Sequence, residues 1–331
     1  MRSPPGWPVL AEQAHPATDP ARAPQGPAPA RRSARRRAVR SGWVPYLLIA
    51  PSLVAIGALF AYPVFLVVRI SFQRLGLGEL IRRVTTYVGL DNYRQILSDP
   101  TFGAVVLRTV LFTAACVTAT MVLGTAIGLL LVRLSRPVRL AAQASLVLAW
   151  AVPIITATVL WQWLFDQTYG VLNWVLSAVG LDFEGHDWFA SGLSTFGVIA
   201  TIIVWQAVPF VALTIQAGLL AIPVDYHEAA RIDGAGPVRV FTAITAPLLR
   251  PILVVLTFLS TIWDFKVFAQ VFAVRQGGPN GATITLPLYL YNTGIASSRF
   301  GLAAAGAVIM VAILAVAMVA YLRRMVRTEL T

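Results

Sequence analysis

The chain alternates between long apolar segments and short polar connections. Apolar residues dominate six stretches, at 44–70, 104–131, 141–165, 193–217, 251–274 and 300–321. A helix needs about 20 apolar residues to cross the hydrocarbon core of a bilayer, and each stretch reaches that length. The pattern therefore predicts an all-α polytopic membrane protein with six transmembrane helices.

Composition supports this prediction. The 331 residues are 57% hydrophobic and only 12% charged, with a mean hydropathy of +0.73. Soluble domains carry about 25% charged residues, so charge is scarce in this chain. Its single cysteine, Cys116, lies inside an apolar stretch and can form no internal disulfide. The formal net charge of +12 suggests nucleic acid, but most basic residues flank apolar stretches, so we expect no nucleic-acid partner.

Both ends of the chain are expected in the cytoplasm. Residues 1–42 are rich in Pro, Ala and Arg and predict a disordered basic tail. Such a tail either binds anionic lipid headgroups or merely holds the N-terminus inside. It is not a signal peptide, because the apolar stretch that follows it is too long. Residues 43–322 then form the transmembrane domain, and 323–331 a cytoplasmic C-terminus.

Charge also sets the expected orientation in the plasma membrane. The segment 166–191 has four acidic and no basic residues, so it is expected outside, with a short interfacial helix over 171–179. Six spans then place both termini and the connection at 222–250 in the cytoplasm, together with 17 of the 26 basic residues. One external segment contradicts the charge rule, because residues 69–94 carry five arginines.

Two glycines in the second apolar stretch are placed for close helix packing. Gly124 and Gly128 are four residues apart, the spacing that lets two membrane helices approach closely. Such a pair serves packing within one chain or between subunits, and packing within the chain is the simpler interpretation.

A polar, helix-forming island separates the fourth and fifth apolar stretches. It reads IPVDYHEAARIDGAGPVRVFTAITAPLLRP over residues 222–251. A short helix over 228–233 is interrupted at Gly234, and a second is expected from Val238 to about Pro247. A helical hairpin on the membrane surface has little lipid to bury against, so its apolar face needs a cytoplasmic protein partner. That face consists of Ala229, Ala230, Ile232, Val240 and Phe241.

This island resembles a known signature. Glu228-Ala229-Ala230, Gly234, and the later Ile244 and Pro247 resemble the cytoplasmic loop of membrane subunits of binding-protein-dependent ABC importers. The longer form P-x-D-Y-x-E-A-A-x-x-D-G-A resembles the carbohydrate-uptake branch, which includes maltose and glycerol-phosphate permeases. One position departs, since Ala246 stands where the family usually has leucine. A surface hairpin that carries Glu-Ala-Ala by chance is the alternative.

The resemblance implies a type I ABC importer permease fold in which this loop is the coupling helix. The helix would sit in a cleft of separate ATP-binding ABC subunits and transmit their closure to the pore. Further implied partners are a second homologous permease, an extracellular or periplasmic solute-binding protein, membrane lipid and a carbohydrate substrate. The coupling residues implied are Glu228, Ala229, Ala230, Asp233, Gly234, Ile244 and Pro247.

The chain lacks the residues for ATP hydrolysis. A phosphate-binding loop needs a lysine in a glycine-rich turn, and the one lysine is Lys266, in WDFKVF. We therefore expect no cofactor in this chain, ATP to be used by a separate subunit, and no enzyme activity. His15, His186 and His227 are isolated, so no metal site is expected.

Ionisable residues in the fifth apolar stretch are candidates for the substrate path. Charges near the bilayer centre cost on the order of 3 kcal/mol unless paired or hydrated, so Asp264 and Lys266 are expected to face a pore or a subunit interface. With Trp263 they either line a sugar path or support packing against the partner permease. The stretch FLSTIWDFKVFAQVFAVRQGGP resembles the path-lining segment of sugar permeases, although Arg275 and Gln276 replace the usual Thr-Gly.

Three functions remain open from the sequence. The first is a permease subunit for uptake of a disaccharide or short oligosaccharide, with the sugar size inferred by analogy only. The second is an ABC permease for another solute, such as a polyamine or a phosphate ester. The third is a secondary transporter, which the absence of a visible internal repeat and the partner-seeking loop both argue against.

Overall fold

Helices form most of the chain that the computed structural model describes, residues 44–329. The first half contains α1 (Val44–Ile56), α2 (Tyr62–Ser71), α3 (Leu77–Arg82), α4 (Asp91–Leu97), α5 (Pro100–Arg133), α6 (Arg136–Ala151), α7 (Ile154–Leu164) and α8 (Val171–Ala178). The second half contains α9 (Gly192–Leu220), α10 (Val224–Ile232), α11 (Pro237–Val240), α12 (Ala246–Phe265), α13 (Ala269–Arg275), α14 (Leu286–Tyr291) and α15 (Phe300–Glu329). Two short strands, β1 (Gln73–Arg74) and β2 (Thr86–Tyr87), pair antiparallel. The tail predicted at 1–42 lies outside the described residues.

The structure divides after Ala55 into two compact units. The described part of the first unit is α1, whose side chains from Tyr46 onward are exposed except for the half-buried Ala50. A helix that is apolar on all sides suits contact with lipid. The second unit contains the remaining elements and the three buried apolar clusters that form its core.

The all-α membrane fold predicted from the sequence is confirmed. Five helical segments are long and apolar enough to cross a bilayer, and the count is six when one bent helix pair is taken as a single span. The five are Tyr46–Ser71, Pro100–Arg133, Gly192–Leu220, Pro237–Phe265 and Phe300–Arg323, and the pair is α6 with α7. The short helix predicted at 171–179 is present as α8.

The predicted third span is not one straight helix, because α6 and α7 meet at 101°. Val152 precedes Pro153 and is extended (φ −65°, ψ 128°), since a proline ring clashes with a helical residue before it. The side-chain N–H of Gln206 on α9 donates to the carbonyl of Val152 at 3.3 Å. The break is therefore stabilised by a neighbouring helix, as backbone breaks inside a membrane require.

The boundaries predicted for the fifth span are wrong at both ends. The span begins at Pro237 instead of 251 and ends at Phe265 instead of 274. The helix passes Pro247 because the π-helical turn Phe241–Thr245 directly precedes it, and the N–H of Ala246 bonds back five residues to the carbonyl of Phe241. Such a local π adjustment accommodates a proline inside a membrane helix. The second surface helix expected from Val238 is thus the beginning of a membrane helix.

Close contact between α5 and α9 forms the centre of the second unit. A Cβ at Gly124 would lie 2.5 Å from Cγ1 of Val211, and one at Gly128 would lie 2.7 Å from Cγ2 of Ile215. Side-chain carbons do not approach each other that closely, so both glycines set the separation of the helices. The close approach predicted from their spacing is confirmed, and it lies within this chain. Because Gly124 meets Val211 and Gly128 meets Ile215, the two helices run parallel.

The chain after the first span folds into a small structure that covers the start of α15. β1 and β2 pair in register, Gln73 with Tyr87, and α3 lies in the connection between them. Asn92 of α4 is buried and donates from its amide to the carbonyls of Ser71 and Gln73, both at 2.9 Å. These bonds fix the hairpin against the end of the first span.

We expect Gly128→Leu to destabilise the protein by about 1–3 kcal/mol, the usual cost of overpacking a filled core. The matched control is Gly103→Leu on the same helix, where a Cβ would meet nothing within 4 Å. Thermal unfolding of both purified variants in detergent measures the difference. Equal midpoints would show that α5 and α9 are not tightly packed.

Candidate functional site

The coupling segment, residues 222–250, connects α9 to the membrane helix formed by α11 and α12. It contains the exposed helix α10 and the tight turn at Gly234. α10 ends at a left-handed residue, Gly234 (φ +72°). The N–H of Ala235 returns to the carbonyl of Ala230 at 2.9 Å, which closes the helix end in the manner favoured by a C-terminal glycine. A Cβ at Gly234 would meet nothing within 4 Å, so the turn requires glycine for its backbone angle and not for space.

The side chains of α10 face in two directions. Glu228, Ala229 and Asp233 are exposed, and Ile232 is 86% exposed, which is unusual for an isoleucine. Ala230 is only 7% exposed, because it lies about 100° further around the helix than Ala229 and faces its own chain. Ala230 therefore lies behind the exposed side of α10, and its part in coupling stays a prediction.

The later signature residues lie on the membrane helix itself. Ile244 is half-buried in the π-helical turn, and Pro247 is exposed in the first turn of α12. α11, the turn and α12 are contiguous along residues 237–265. α10 is therefore joined directly to a membrane helix by the short turn at Gly234.

An aromatic row crosses three helices of the bundle. It consists of Trp150 on α6, Phe210 on α9 and Trp263 on α12. The rings of Trp150 and Phe210 are stacked with centroids 6.3 Å apart, and those of Phe210 and Trp263 meet edge to face at 5.5 Å. Trp150 is 53% and Trp263 41% exposed, so ring faces remain open in this chain.

Two pairs of glutamine amides link α9 to neighbouring helices. Gln206 and Gln270 of α13 approach to 3.5 Å, and Gln143 of α6 donates to Gln216 at 2.7 Å. Amides inside an apolar bundle find partners across helices, because unpaired polar groups are costly in lipid. The first pair flanks the same stretch of α9 that carries Phe210.

Asp264 and Lys266 do not act as a pair. Asp264 is 5% exposed, and its Oδ2 has no hydrogen-bond partner among the described residues. Lys266 lies beyond the last residue of α12 and is exposed. The expectation that both line one path or interface within a fifth span is corrected, because Asp264 faces the interior of its own chain. Trp263 is the one of the three that belongs to the aromatic row.

The end of the bundle opposite the coupling segment is closed by polar contacts to α5. Tyr289 of α14 donates to Asp99, just before α5, at 2.9 Å. Burial, together with this bond to a carboxylate, raises the pKa of Tyr289 to about 12. Arg108 of α5 donates to the carbonyls of Gly281 and Ile284 at 3.0 and 3.2 Å. The connection after α13 is thus fastened to the first turns of α5.

The sequence reasoning missed four residues of this region. These are Trp150 and Phe210 of the row and the paired amides Gln206 and Gln270. A signal existed for the glutamines, since an amide inside an apolar stretch needs a partner in lipid. No sequence pattern marked Phe210, because one phenylalanine in an apolar helix is typical of lipid contact or core.

A known protein family matches the part of the chain that carries the coupling segment and the aromatic row. The profile of the binding-protein-dependent transport system inner membrane component matches residues 120–327, more than half of the chain. The chain belongs to this family. It is therefore an inner-membrane component of a transport system, and the matched range includes the coupling segment and the aromatic row.

Relatives align along almost the whole chain. The diacetylchitobiose uptake system permease protein DasB of Streptomyces coelicolor is 42% identical over 93% of this chain and 97% of its own. The sulfoquinovosyl glycerol transport system permease protein SmoG of Agrobacterium fabrum is 35% identical over 86% and 90%. The trehalose/maltose transport system permease protein MalF of Thermococcus litoralis is 34% identical over 76% and 84%.

Solved structures share the fold. A chain of a bacterial ABC transporter involved in the import of the acidic polysaccharide alginate superposes with a TM-score of 0.74 at 17% identity, covering 86% of this chain and 96% of its own. The same type of transporter in complex with an alginate pentasaccharide-bound periplasmic protein gives 0.72 at 18% identity, covering 84% and 92%. The ABC importer permease fold expected from the sequence is confirmed.

Proposed function

We propose that this chain is one of two permease subunits of an ATP-driven importer for a disaccharide or short oligosaccharide. The observation that carries the proposal is the likeness, up to 42% identity along nearly the full chain, to permeases named for diacetylchitobiose, sulfoquinovosyl glycerol and trehalose/maltose uptake. The chain is one half of the path, and a second homologous permease completes it.

The aromatic row supports a sugar as substrate. Apolar ring faces with a few placed polar groups are typical of sites for small neutral ligands. Sugar C–H faces pack on rings such as Trp263 and Phe210, and hydroxyl groups pair with the partly exposed amide of Gln206, which Gln270 holds in place. A polyamine or a phosphate ester needs compensating charges, which these four side chains do not supply.

The remaining partners follow from the two ends of the bundle. Separate ATP-binding subunits dock on α10 and hydrolyse the ATP, and this chain holds no cofactor and performs no chemistry. A solute-binding protein delivers the sugar at the opposite end. Both termini and the coupling segment are cytoplasmic, and residues 166–191 face outward.

The geometry offers a direct mechanical route from α10 to the row. The helical segment Pro237–Phe265 has 29 residues, about 43 Å at 1.5 Å per residue. Its first residues follow the Gly234 turn, and Trp263 lies near its other end. When the ATP-binding subunits close, they displace α10, and the long helix moves Trp263 relative to Phe210. This changes the access to the row from either side.

We expect Trp263→Ala and Phe210→Ala each to raise the KM for sugar uptake about tenfold, since an aromatic contact contributes roughly 0.5–1.5 kcal/mol beyond area burial. Uptake of radiolabelled diacetylchitobiose, trehalose and maltose by cells with the assembled transporter measures the effect. Trp163→Ala is the control, because Trp163 is 52% exposed on α7 and outside the row. Uptake of spermidine or glycerol phosphate, with no sugar transported, would refute the substrate class.

Two replacements of Gly234 distinguish the effect of backbone strain from the effect of side-chain size. Gly234→Val is expected to weaken ATP-binding subunit copurification and uptake strongly, because a branched residue resists positive φ. Gly234→Asn should retain most of both, since asparagine tolerates this conformation. Gly236→Val is the control, with φ −68° and nothing within 4 Å of a Cβ. If all three variants behave alike, the turn does not position the coupling helix.

The proposed orientation is open to cysteine labelling. The native Cys116 is fully buried and should not react. Asp182 and Asp225 are both exposed, and they lie beyond the opposite ends of α9. We expect Asp182→Cys to react with a membrane-impermeant maleimide in intact cells, and Asp225→Cys only after lysis. The reverse pattern would invert the protein in the membrane.

A further inference from the structure

The arginines of residues 69–94 are not explained by transport or by the charge rule. This segment has five arginines and two acidic residues, Glu79 and Asp91. The fold adds a sixth arginine, because Arg299, just before α15, lies beside Arg74 at the same small cavity. Among the described residues, only Arg94 forms an ion pair, with Asp91 at 3.5 Å. Arg69 donates to the hydroxyl of Tyr87 at 3.2 Å, whereas Arg74 and Arg299 have no ion-pair partner among the described residues and are available to an anion.

Arg74 and Arg299 line a cavity of about 250 Å³. Its other polar walls come from Asn92, Gln95 and Glu79. Glu79 forms no salt bridge with the arginines and accepts the backbone N–H of Gly76 at 3.0 Å, so the two guanidinium groups outnumber the one carboxylate in the cavity wall. Both arginine side chains are exposed on one side, so the cavity opens to the surroundings.

The walls of this cavity are fixed by the fold. A Cβ at Gly301 would collide with the carbonyl of Gln73 and would lie 3.1 Å from Nδ2 of Asn92. The N–H of Gly301 donates to the carbonyl of Leu75 at 3.0 Å. The start of α15 is thus held directly against β1, and the separation of Arg74 from Arg299 is set by the backbone.

α3, which contributes Glu79 to the cavity, carries apolar residues that no part of the described chain covers. It begins six residues after the first span ends at Ser71, so it lies within about 20 Å of the membrane surface. Arg82 and Arg83 follow on its polar side and are exposed. Short helices with exposed apolar and basic residues lie in the boundary between headgroups and acyl chains. The exposed apolar residues are Leu77 (53%), Leu80 (55%), Ile81 (72%) and Val84 (52%).

We propose that the segment 73–87 is a membrane-surface anchor that binds an anionic phospholipid, with the headgroup phosphate held between Arg74 and Arg299. Guanidinium groups bind phosphate oxygens through paired N–H donors. The apolar residues of α3 contact the acyl chains of the same lipid. A soluble partner would account for the arginines but not for the apolar residues beside a span. The proposal goes beyond transport, and its test requires no substrate.

Lipid binding to the full chain, purified in detergent, tests the proposal by native mass spectrometry. Phosphatidylglycerol and phosphatidylcholine are titrated separately, and inorganic phosphate is added as a competitor. We expect a preference for phosphatidylglycerol that falls about fivefold with Arg74→Gln or Arg299→Gln, as expected for roughly 1 kcal/mol per arginine at a charged surface. The matched control is Arg94→Gln, whose guanidinium is already paired with Asp91 and should leave the preference intact.

Each other outcome overturns the proposal. Equal binding of the two lipids, or an undiminished preference in both variants, removes the headgroup site. Displacement by millimolar phosphate shows a free-anion site instead. If the two variants weaken binding of the solute-binding protein and not of lipid, the patch is a protein-docking surface.

A second measurement addresses α3 without altering the arginines. A fluorophore on Ile81→Cys should be quenched by headgroup-spin-labelled lipid in vesicles, and one on Asp182→Cys, exposed and outside the cavity, should be quenched less. Equal quenching at the two positions contradicts an interfacial α3.

Discussion

The close contact of α5 with α9 is the constraint on which the rest of the structure depends. Lipid is as apolar as the side chains it surrounds, so membrane helices associate through close packing and hydrogen bonds instead of hydrophobic exclusion. Gly124 and Gly128 provide that packing against Val211 and Ile215. Both ends of the bundle are attached to this pair, because Arg108 of α5 holds the connection after α13 and α9 continues into α10. A change in their separation would therefore alter both ends together.

Proline placement determines where the other helices break and where they continue. Pro153 turns the chain by 101°, and Gln206 compensates the carbonyl that the break exposes. Pro247 follows a π-helical turn inside the helical segment 237–265 and causes no break, so the coupling segment continues into α12. One break folds α7 away from α6, whereas the continuous helix links the Gly234 turn to Trp263. One proline thus separates α6 from α7, and the other leaves α11 joined to α12.

The two ends of the bundle offer different chemistry to their partners. At the coupling end the exposed helix α10 presents Glu228, Ala229 and Ile232. The turn that follows α10 requires glycine at Gly234 because of its positive φ. At the opposite end a rigid cavity with Arg74 and Arg299 lies beside the apolar α3. The exposed side of α10 suits a cleft in a protein partner. The arginine cavity with α3 suits the charged and partly apolar surface of a membrane. Between them the aromatic row stays open, with no ionised side chain of its own.

The sequence by itself determined the membrane class, the apolar segments, the close-packing glycines and the signature motif of the family. Each is encoded locally, by runs of apolar residues, by a four-residue spacing, or by a contiguous motif.

Tertiary structure decided what depends on neighbours distant in sequence. The row of Trp150, Phe210 and Trp263 joins three helices, and Arg299 reaches Arg74 only because α15 packs on β1. Ala230 and Asp264 face inward, although they are adjacent to the exposed Ala229 and Trp263. Hydropathy averages over a helix turn, and it therefore cannot tell which side of that turn meets another helix.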